Sequence, residues 1–566
     1  MDSLPSPAAC APPVDLPQQV DPPQQTERTW KAPAAAWQLA GGIALALVTA
    51  GLHALPWLVE SCFWCGWLAI AFGLTLATRR GWIASWWMTW LWSTLALGLA
   101  FYWSPAAMAY TLDSGWGLGF AVALPFLVWD GLRLAAGYWL AARLTREVTV
   151  IWLPAGLIAM ALEWALPSVF PWRLGLPQLA LPWLVQAADL WGGGWTTLIA
   201  FAHAGLLLSV GWLIWKRPVR LVGGQAARSG ASLRPAPVAS SRQPLPSYAA
   251  ICGGVLAFNA LYGTWSWWTW EQRSEQAPRL QVGLIQVDPS YTWSTDRLRE
   301  LTADIAPAAE LVCWPESSGG NYELALDDLS DADEVFARSR EPERGLQPWT
   351  TPSCELLLGG KSYQGERDDP ERLHVTAMLI DPQQRITDRY HKRFLMPFGE
   401  YVPFEDSLPG MAELFAMAEH VQPGAAAHTI ASRTGAQLGT MLCYEDMVPQ
   451  AAYEATRAGA SVLISLANGS AFASHHTLRQ HRLLAQLRAV ECRRYLLRCA
   501  ATGETCSISA TGRIVDRLPV QEDAALLTSA ALLQGQTLFV RYPWLGSSLD
   551  LLGLFAVVLH LRSLKR

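Results

Sequence analysis

Seven long apolar runs stand in a row ahead of a charged segment, and one more closes the chain. They lie near 34–57, 60–78, 81–103, 115–142, 148–166, 184–215 and 248–270, with the last at about 545–561. An α-helix needs about 20 apolar residues to cross the hydrocarbon of a bilayer. Backbone groups in lipid must be satisfied internally, so repeated runs of this kind predict a polytopic helical membrane protein with about eight spans. Composition agrees. Charged residues are 16% and hydrophobic ones 51%, against roughly 25% charged in a soluble domain. The 30 tryptophans suit the headgroup level, where indole is both apolar and hydrogen-bonding. A net charge of −5 gives no case for nucleic acid as a partner.

Positive charge sorts to one side of these runs. Arg28 and Lys31 precede the first, Arg79 and Arg80 follow the second, and Arg143 and Arg146 follow the fourth. Lys216, Arg217, Arg220, Arg228, Arg234 and Arg242 follow the sixth, and Arg562, Lys565 and Arg566 follow the last. If the spans alternate, all five clusters share one face, which the positive-inside rule makes cytoplasmic. Residues 279–545 then lie outside, which in a bacterial cell means the periplasmic face. Residues 1–33, rich in Pro, Gln and Ala, lack a signal-peptide pattern and read as a disordered cytoplasmic tail. The expected plan is therefore a tail over 1–33, a membrane domain over 34–270, an extramembrane domain over 279–545, and a final span with its tail over 546–566. Asp130, Arg133, Glu163 and Asp189 fall within the apolar runs, where charge is costly. Either they pair or sit near interfaces, or they shape a path for lipid. Cys62 and Cys65 form a CxxC inside an apolar run and read as membrane packing rather than as a redox pair.

From about 279 the pattern changes to short strands between helices. Residues 280–287, 310–315, 354–360 and 375–380 read as buried strands. A strand ending at Cys443, a helix over 448–458, a strand over 461–467 and a helix over about 476–494 follow, with more strands to about 530. This order predicts a layered α/β sandwich. The helix over 476–494 carries His476, Gln480, Arg488 and Glu491; its polar side is either a solvated face or part of the site.

Three residues carry candidate chemistry. Cys443 ends an apolar strand, where a sheet can present a nucleophile and the following loop offers N–H groups to an oxyanion. Glu316, in Trp314-Pro315-Glu316-Ser317, follows another apolar strand; a carboxylate near apolar groups has a raised pKa and can take a thiol proton. Lys392 opens the run Lys392-Arg393-Phe394-Leu395-Met396-Pro397-Phe398-Gly399-Glu400-Tyr401-Val402-Pro403. Its ammonium can lower a thiol pKa and hold an oxyanion. Each residue alone has an ordinary structural role. Their order and contexts together resemble the nitrilase superfamily. The PFGEYVPFE stretch and the flanking spans narrow the resemblance to its membrane branch, the apolipoprotein N-acyltransferase family.

That resemblance implies an αββα nitrilase-type sandwich and a catalytic triad of Glu316, Lys392 and Cys443. It marks Glu400 and Glu445 as groups that orient Lys392 and complete a polar pocket. It marks Trp293 and Tyr444 as groups that position acyl chains or a loop, and it places Asn468 at a family position. There the chain departs from the usual pattern, reading Asn468-Gly469-Ser470-Ala471-Phe472 without the acidic residue. The implied activity is acyl transfer from a membrane phospholipid, through a thioester on Cys443, to the α-amino group of a diacylated lipoprotein. A monomer is expected. The chemistry calls for no metal or cofactor, and the chain has no P-loop, no GxGxxG after a strand and no HExxH. Two alternatives stay open: a membrane-tethered amidase using water as acceptor, and an inactive scaffold or transporter.

Overall fold

The computed structural model describes residues 31–79, 84–147, 149–216, 245–288, 295–318, 321–323, 354–366, 369–383, 385–415, 418–470 and 474–563. Each of the eight apolar runs contributes a helix: Lys31–Leu58, Cys65–Thr78, Trp86–Ala100, Trp116–Leu144, Trp152–Ala165, Gly194–Lys216, Leu245–Gln276 and Trp544–Ser563. Four stretches, Ala40–Leu58, Trp116–Leu144, Gly194–Ile214 and Trp544–Ser563, are long and apolar enough to cross a membrane. Cys65–Thr78 and Trp152–Ala165 are apolar but shorter. Run length overstates helix length because turns interrupt the runs. The run 184–215 breaks at Gly192, whose φ of +73° ends the short helix Ala188–Trp191. A Cβ there would also meet the Phe539 ring at 2.5 Å. The first helix begins at Lys31, so residues 31–33 belong to it rather than to a tail. Residues 1–30 and most of the basic loop after the sixth run lie outside the described residues.

Among the charges within the runs, Asp130, Arg133 and Glu163 are paired. Arg133 reaches Asp130 at 2.7 Å, and the Trp172 indole donates to Asp130 at 2.9 Å. Glu163 accepts from the Leu174 N–H at 2.9 Å and faces Arg173 at 3.3 Å. Partnering of this kind is what keeps an ionised group in a low-dielectric interior.

The extramembrane domain is a two-sheet sandwich. One sheet has the strand order Ala524–Ala531, Arg279–Gln286, Leu311–Cys313, Glu355–Glu366, Asp369–Ile380, Ile386–His391, with Asn321–Glu323 paired to Glu355–Glu366. The other runs Ile514–Arg517, Cys506–Ile508, Leu496–Ala501, Val462–Asn468, Gln437–Leu442, Ile430–Ala431. Alternate residues of both sheets, among them Leu280, Val282, Leu284, Leu357, Leu438, Ile464 and Leu497, pack into one core. The opposite faces take helices. Leu298 and Leu301 of Thr295–Ile305 cover the first sheet, and Ala451, Ala455, Ala485 and Ala489 cover the second. Apolar residues on both faces of a strand require cover on both sides, and four layers result.

The helix His475–Cys492 has no broad solvated face. From Thr477 on, nearly every residue is buried, charged ones included. It lies between the second sheet and the membrane helices. Gln480 accepts from the Trp103 indole at 2.9 Å and donates to the Ala100 carbonyl at 2.9 Å. Just past its end, Arg493 adopts φ +51° and is fully buried. Its guanidinium donates to Asp189 at 2.9 Å, to Gln186 at 2.7 Å and to Ser266 at 2.7 Å. The helix Leu245–Gln276 supplies Ser266. At 32 residues it is roughly 48 Å long, so it runs past residue 270 into the sandwich, where Glu271 accepts from Thr511 and Arg513.

Arg493→Met strands Asp189 as a buried charge, a change that costs about 3–5 kcal/mol. The detergent-purified variant should melt well below the parent. Adding Asp189→Leu should recover part of the loss, because an apolar pair of similar volume leaves no orphan charge. An unaltered melting temperature for Arg493→Met means that the junction is held elsewhere.

Candidate active site

Cys443 ends the strand Gln437–Leu442, and its own φ of +46° turns the chain into a single 3-10 turn, Cys443–Met447. A left-handed conformation costs a non-glycine residue about 1–2 kcal/mol, so neighbouring contacts must hold it. The next three side chains do so. The Tyr444 hydroxyl donates to the Val169 carbonyl of the membrane domain at 2.6 Å. Glu445 accepts from the Leu442 N–H at 2.8 Å with one oxygen. Its other oxygen takes the Tyr390 hydroxyl at 2.8 Å and the N–H groups of Arg393 and Phe394 at 2.8 and 3.1 Å. Asp446 accepts from Ser465 at 2.6 Å and from Arg498 at 3.1 Å, and pairs with His481 at 2.7 Å. His481 and Arg498 hold the Asp446 carboxyl down to about 2 although burial works the other way.

Glu316 comes from the other sheet. It follows Leu311–Cys313, and Ser317 turns at φ +64°. Strand Glu355–Glu366 passes so close that a Cβ on Gly359 would lie 2.9 Å from the Glu316 Cα. Lys392 follows Ile386–His391 and continues its ladder by donating to the Val375 carbonyl at 2.8 Å. Its Nζ lies 3.3 Å from Glu316 Oε1 and 2.5 Å from Glu400 Oε1. The other Glu400 oxygen accepts from the Met396 N–H at 2.7 Å. The Cys443 thiol donates to the Asn468 carbonyl at 3.7 Å, and Glu316 and Lys392 both act on it electrostatically.

The fold thus brings Glu316, Lys392, Glu400, Cys443 and Asn468 together at strand ends from both sheets. Glu400 reaches Lys392 directly. Glu445 instead pins the loop bearing Lys392 to the turn bearing Cys443. Asn468 contributes its backbone carbonyl at the thiol, while its side chain caps the Ser470 N–H at 3.0 Å. Trp293 lies outside the described residues. Gly359, Tyr390, Asp446, Ser465, His481 and Arg498 have supporting roles that the sequence reading missed. Asp446 directly follows the Cys443-Tyr444-Glu445 motif and Tyr390 stands two residues before Lys392 in its motif, placements that hinted at a role; the other four carried no local signal.

Burial sets the protonation states. It pushes the Cys443 thiol up, and the nearby Glu316 carboxylate adds to this more than Lys392 subtracts. A lysine beside the cysteine was expected to lower the thiol; here it does not prevail, because the thiol is fully buried and faces a carboxylate. Burial also raises Glu316, against the pull of Lys392. Lys392 is buried, which favours the neutral amine, but Glu316 and Glu400 outweigh this and hold it well above its usual range. The thiol is therefore protonated at rest, with a carboxylate and a fixed cation acting on it. Among the described residues, no group of three or more His, Cys, Asp or Glu side chains is placed to hold a metal ion.

The carbon-nitrogen hydrolase family matches residues 281–536. Over most of its length the chain is similar to curated relatives named apolipoprotein N-acyltransferase. That of Geobacter metallireducens is 28% identical over 466 residues, covering 80% of this chain and 76% of the relative. That of Azotobacter vinelandii is 29% identical over 543 residues, covering 92% and 91%. Residues 281–536 thus form a carbon-nitrogen hydrolase domain, in a chain similar over most of its length to apolipoprotein N-acyltransferases. Among solved structures, Saccharomyces cerevisiae Nit3, a member of branch 10 of the nitrilase superfamily, aligns with 47% of this chain and 94% of its own at 17% identity and a TM-score of 0.33. Those relatives are named as acyltransferases, and the apolar helices of this chain fit a membrane protein.

Gly359→Ala should push Glu316 away from Cys443 and Lys392 without touching either. A displacement near 1 Å costs about 10²-fold in rate. Turnover should fall by that order with little change in melting temperature; full activity in the variant contradicts the proposed placement of Glu316.

Proposed function

We propose that this protein moves an acyl chain from a membrane phospholipid, through a thioester on Cys443, to the α-amino group of the N-terminal diacylglyceryl-cysteine of a lipoprotein. The observation that carries this reading is a buried thiol within the electrostatic reach of the Glu316–Lys392 pair, in a sandwich whose Cys443 turn is tied to the membrane helices through Tyr444. The chemistry then runs in two halves. Glu316 takes the Cys443 proton as the sulfur attacks the ester carbonyl carbon. The developing oxyanion is held by the Lys392 ammonium and by the backbone N–H after Cys443. The tetrahedral species collapses, Glu316 returns its proton to the leaving lysophospholipid oxygen, and an acyl-thioester remains on Cys443. The lipoprotein amine attacks the thioester carbonyl, Glu316 accepts the amine proton, and as the C–S bond breaks Glu316 returns that proton to the Cys443 sulfur, leaving the amide and the free thiol. Dividing one acyl transfer into two smaller steps is the advantage of a covalent intermediate. Both substrates are held in lipid, and a catalytic domain tied at both ends to membrane helices faces the bilayer. The reading includes a monomer in a bacterial inner membrane, with residues 279–545 on the periplasmic face.

Intact-mass analysis after mixing the purified chain with phospholipid should show one acyl group on Cys443, absent in Cys443→Ala. Adding a diacylated lipopeptide should discharge it as an amide-linked third chain. Release of free fatty acid alone supports the hydrolase instead, and an unmodified Cys443 rejects the thioester.

Glu316 must be ionised to take the proton. Its pKa is raised, so single-turnover acylation should climb with pH through a point above the ordinary glutamate value. It should fall away as pH drops below that point. Glu316→Gln should lose about 10²–10⁴-fold, the usual contribution of a general base. A flat profile across that range would show that another group is the base.

A further inference from the structure

A cavity of about 430 Å³ opens where the membrane helices, the sandwich and the final helix meet. None of its lining residues belongs to the triad. Trp164 and Arg173 come from the membrane domain, Tyr453 and Glu491 from the sandwich, and Trp544 and Asp550 from the helix Trp544–Ser563. Asp550 is 5% exposed, and its Oδ1 has no hydrogen-bond partner among the described residues. A carboxylate in a span that faces protein without a donor is costly, and a ligand cation relieves that cost. Glu491 is fully buried. It faces Arg488 at 3.2 Å and the Gly193 N–H, yet neither oxygen makes a hydrogen bond of good geometry among the described residues.

The local charges leave room for one more cation. Arg173 is engaged by Glu163 at 3.3 Å. Arg133 also acts on Glu163, and Glu491 faces Arg488. Of the carboxylates Glu163, Glu491 and Asp550, only Asp550 has no ion-pair partner among the described residues. The aromatic lining points the same way. Trp164 is 60% and Trp544 61% exposed, as expected of indoles at headgroup depth, and aromatic faces attract ammonium groups. A primary ammonium has three N–H donors for carboxylate oxygens, whereas a trimethylammonium has none.

We infer that this cavity seats the headgroup of a phospholipid bearing a primary ammonium, with the ammonium toward Asp550 and Glu491 and the phosphate toward Arg173. This lipid is held, not consumed, and the assignment does not rest on the acyl-transfer reading. It places at the domain junction a lipid that ties the final helix to the sandwich.

The test uses the full chain carrying Cys443→Ala, so that no lipid is turned over. It is equilibrated in detergent with phosphatidylethanolamine, phosphatidylcholine or phosphatidylglycerol of identical acyl chains and analysed by native mass spectrometry. One phosphatidylethanolamine should be retained about tenfold more tightly than either of the others. Asp550→Asn should erase that preference. Equal retention of the three lipids, or a preference that survives Asp550→Asn, overturns the assignment. If Asp550→Asn does not fold, Trp544→Ala at the exposed rim of the cavity should reduce the preference for phosphatidylethanolamine, and an unchanged preference overturns the assignment. Equally tight retention of free phosphoethanolamine makes the ligand a soluble amine and overturns the lipid assignment. With Cys443 intact, Asp550→Asn should still form the thioester, so loss of this site and failure of the triad remain distinguishable.

Discussion

The buried ammonium of Lys392 organises the catalytic end of the sandwich. At 1% exposure it cannot exist as a cation without partners, since an isolated buried charge neutralises or costs many kcal/mol. Glu316 and Glu400 are those partners, and they come from different loops. Their positions are coupled through one atom, Lys392 Nζ. The same charges that stabilise the ammonium also keep the neighbouring thiol protonated. In the proposed reaction, nucleophile activation is therefore confined to the moment when Glu316 takes the proton.

A second set of contacts holds the nucleophile. Cys443 sits in a left-handed conformation that its own side chain disfavours. The residues after it are tied in three directions: Tyr444 to the membrane domain, Glu445 to the loop of Lys392, and Asp446 to the second sheet and the helix His475–Cys492. Glu445 is the link between the two halves of the site, since its two oxygens accept from both the Lys392 loop and the strand that ends at Cys443. Strain at a nucleophile survives when the surrounding bonds over-determine the turn.

The junction between membrane and sandwich follows the same logic. The helix His475–Cys492 is strongly polar in sequence yet buried, because its amides and guanidinium groups meet indoles, carbonyls and carboxylates of the membrane domain. Arg493 closes its end on Asp189, Gln186 and Ser266. Polar burial of this kind gains little net stability but strongly penalises any other arrangement, because each group left unpaired costs 1–3 kcal/mol or more. The two domains are therefore held in one register, and the catalytic turn keeps its tie to the membrane side.

The sequence by itself determined the division into membrane and sandwich, most strand positions, and the identity of Glu316, Lys392 and Cys443 as an ordered set. These are legible because hydropathy period and strand-end motifs are local properties of the chain. Glu400 was legible for the same reason, lying eight residues from the lysine it contacts. Only the tertiary structure decided the rest. Helix lengths within the apolar runs depended on breaks such as Gly192, where the Phe539 ring excludes any side chain. The burial of Arg493 and the roles of Asp446, His481, Arg498 and Gly359 depended on neighbours far away in the chain. The protonation of the Cys443 thiol was decided last of all. A lysine next to a cysteine reads as activating in sequence, but the outcome is set by burial and by a carboxylate from another sheet, and neither is a property of the residues adjacent to Cys443.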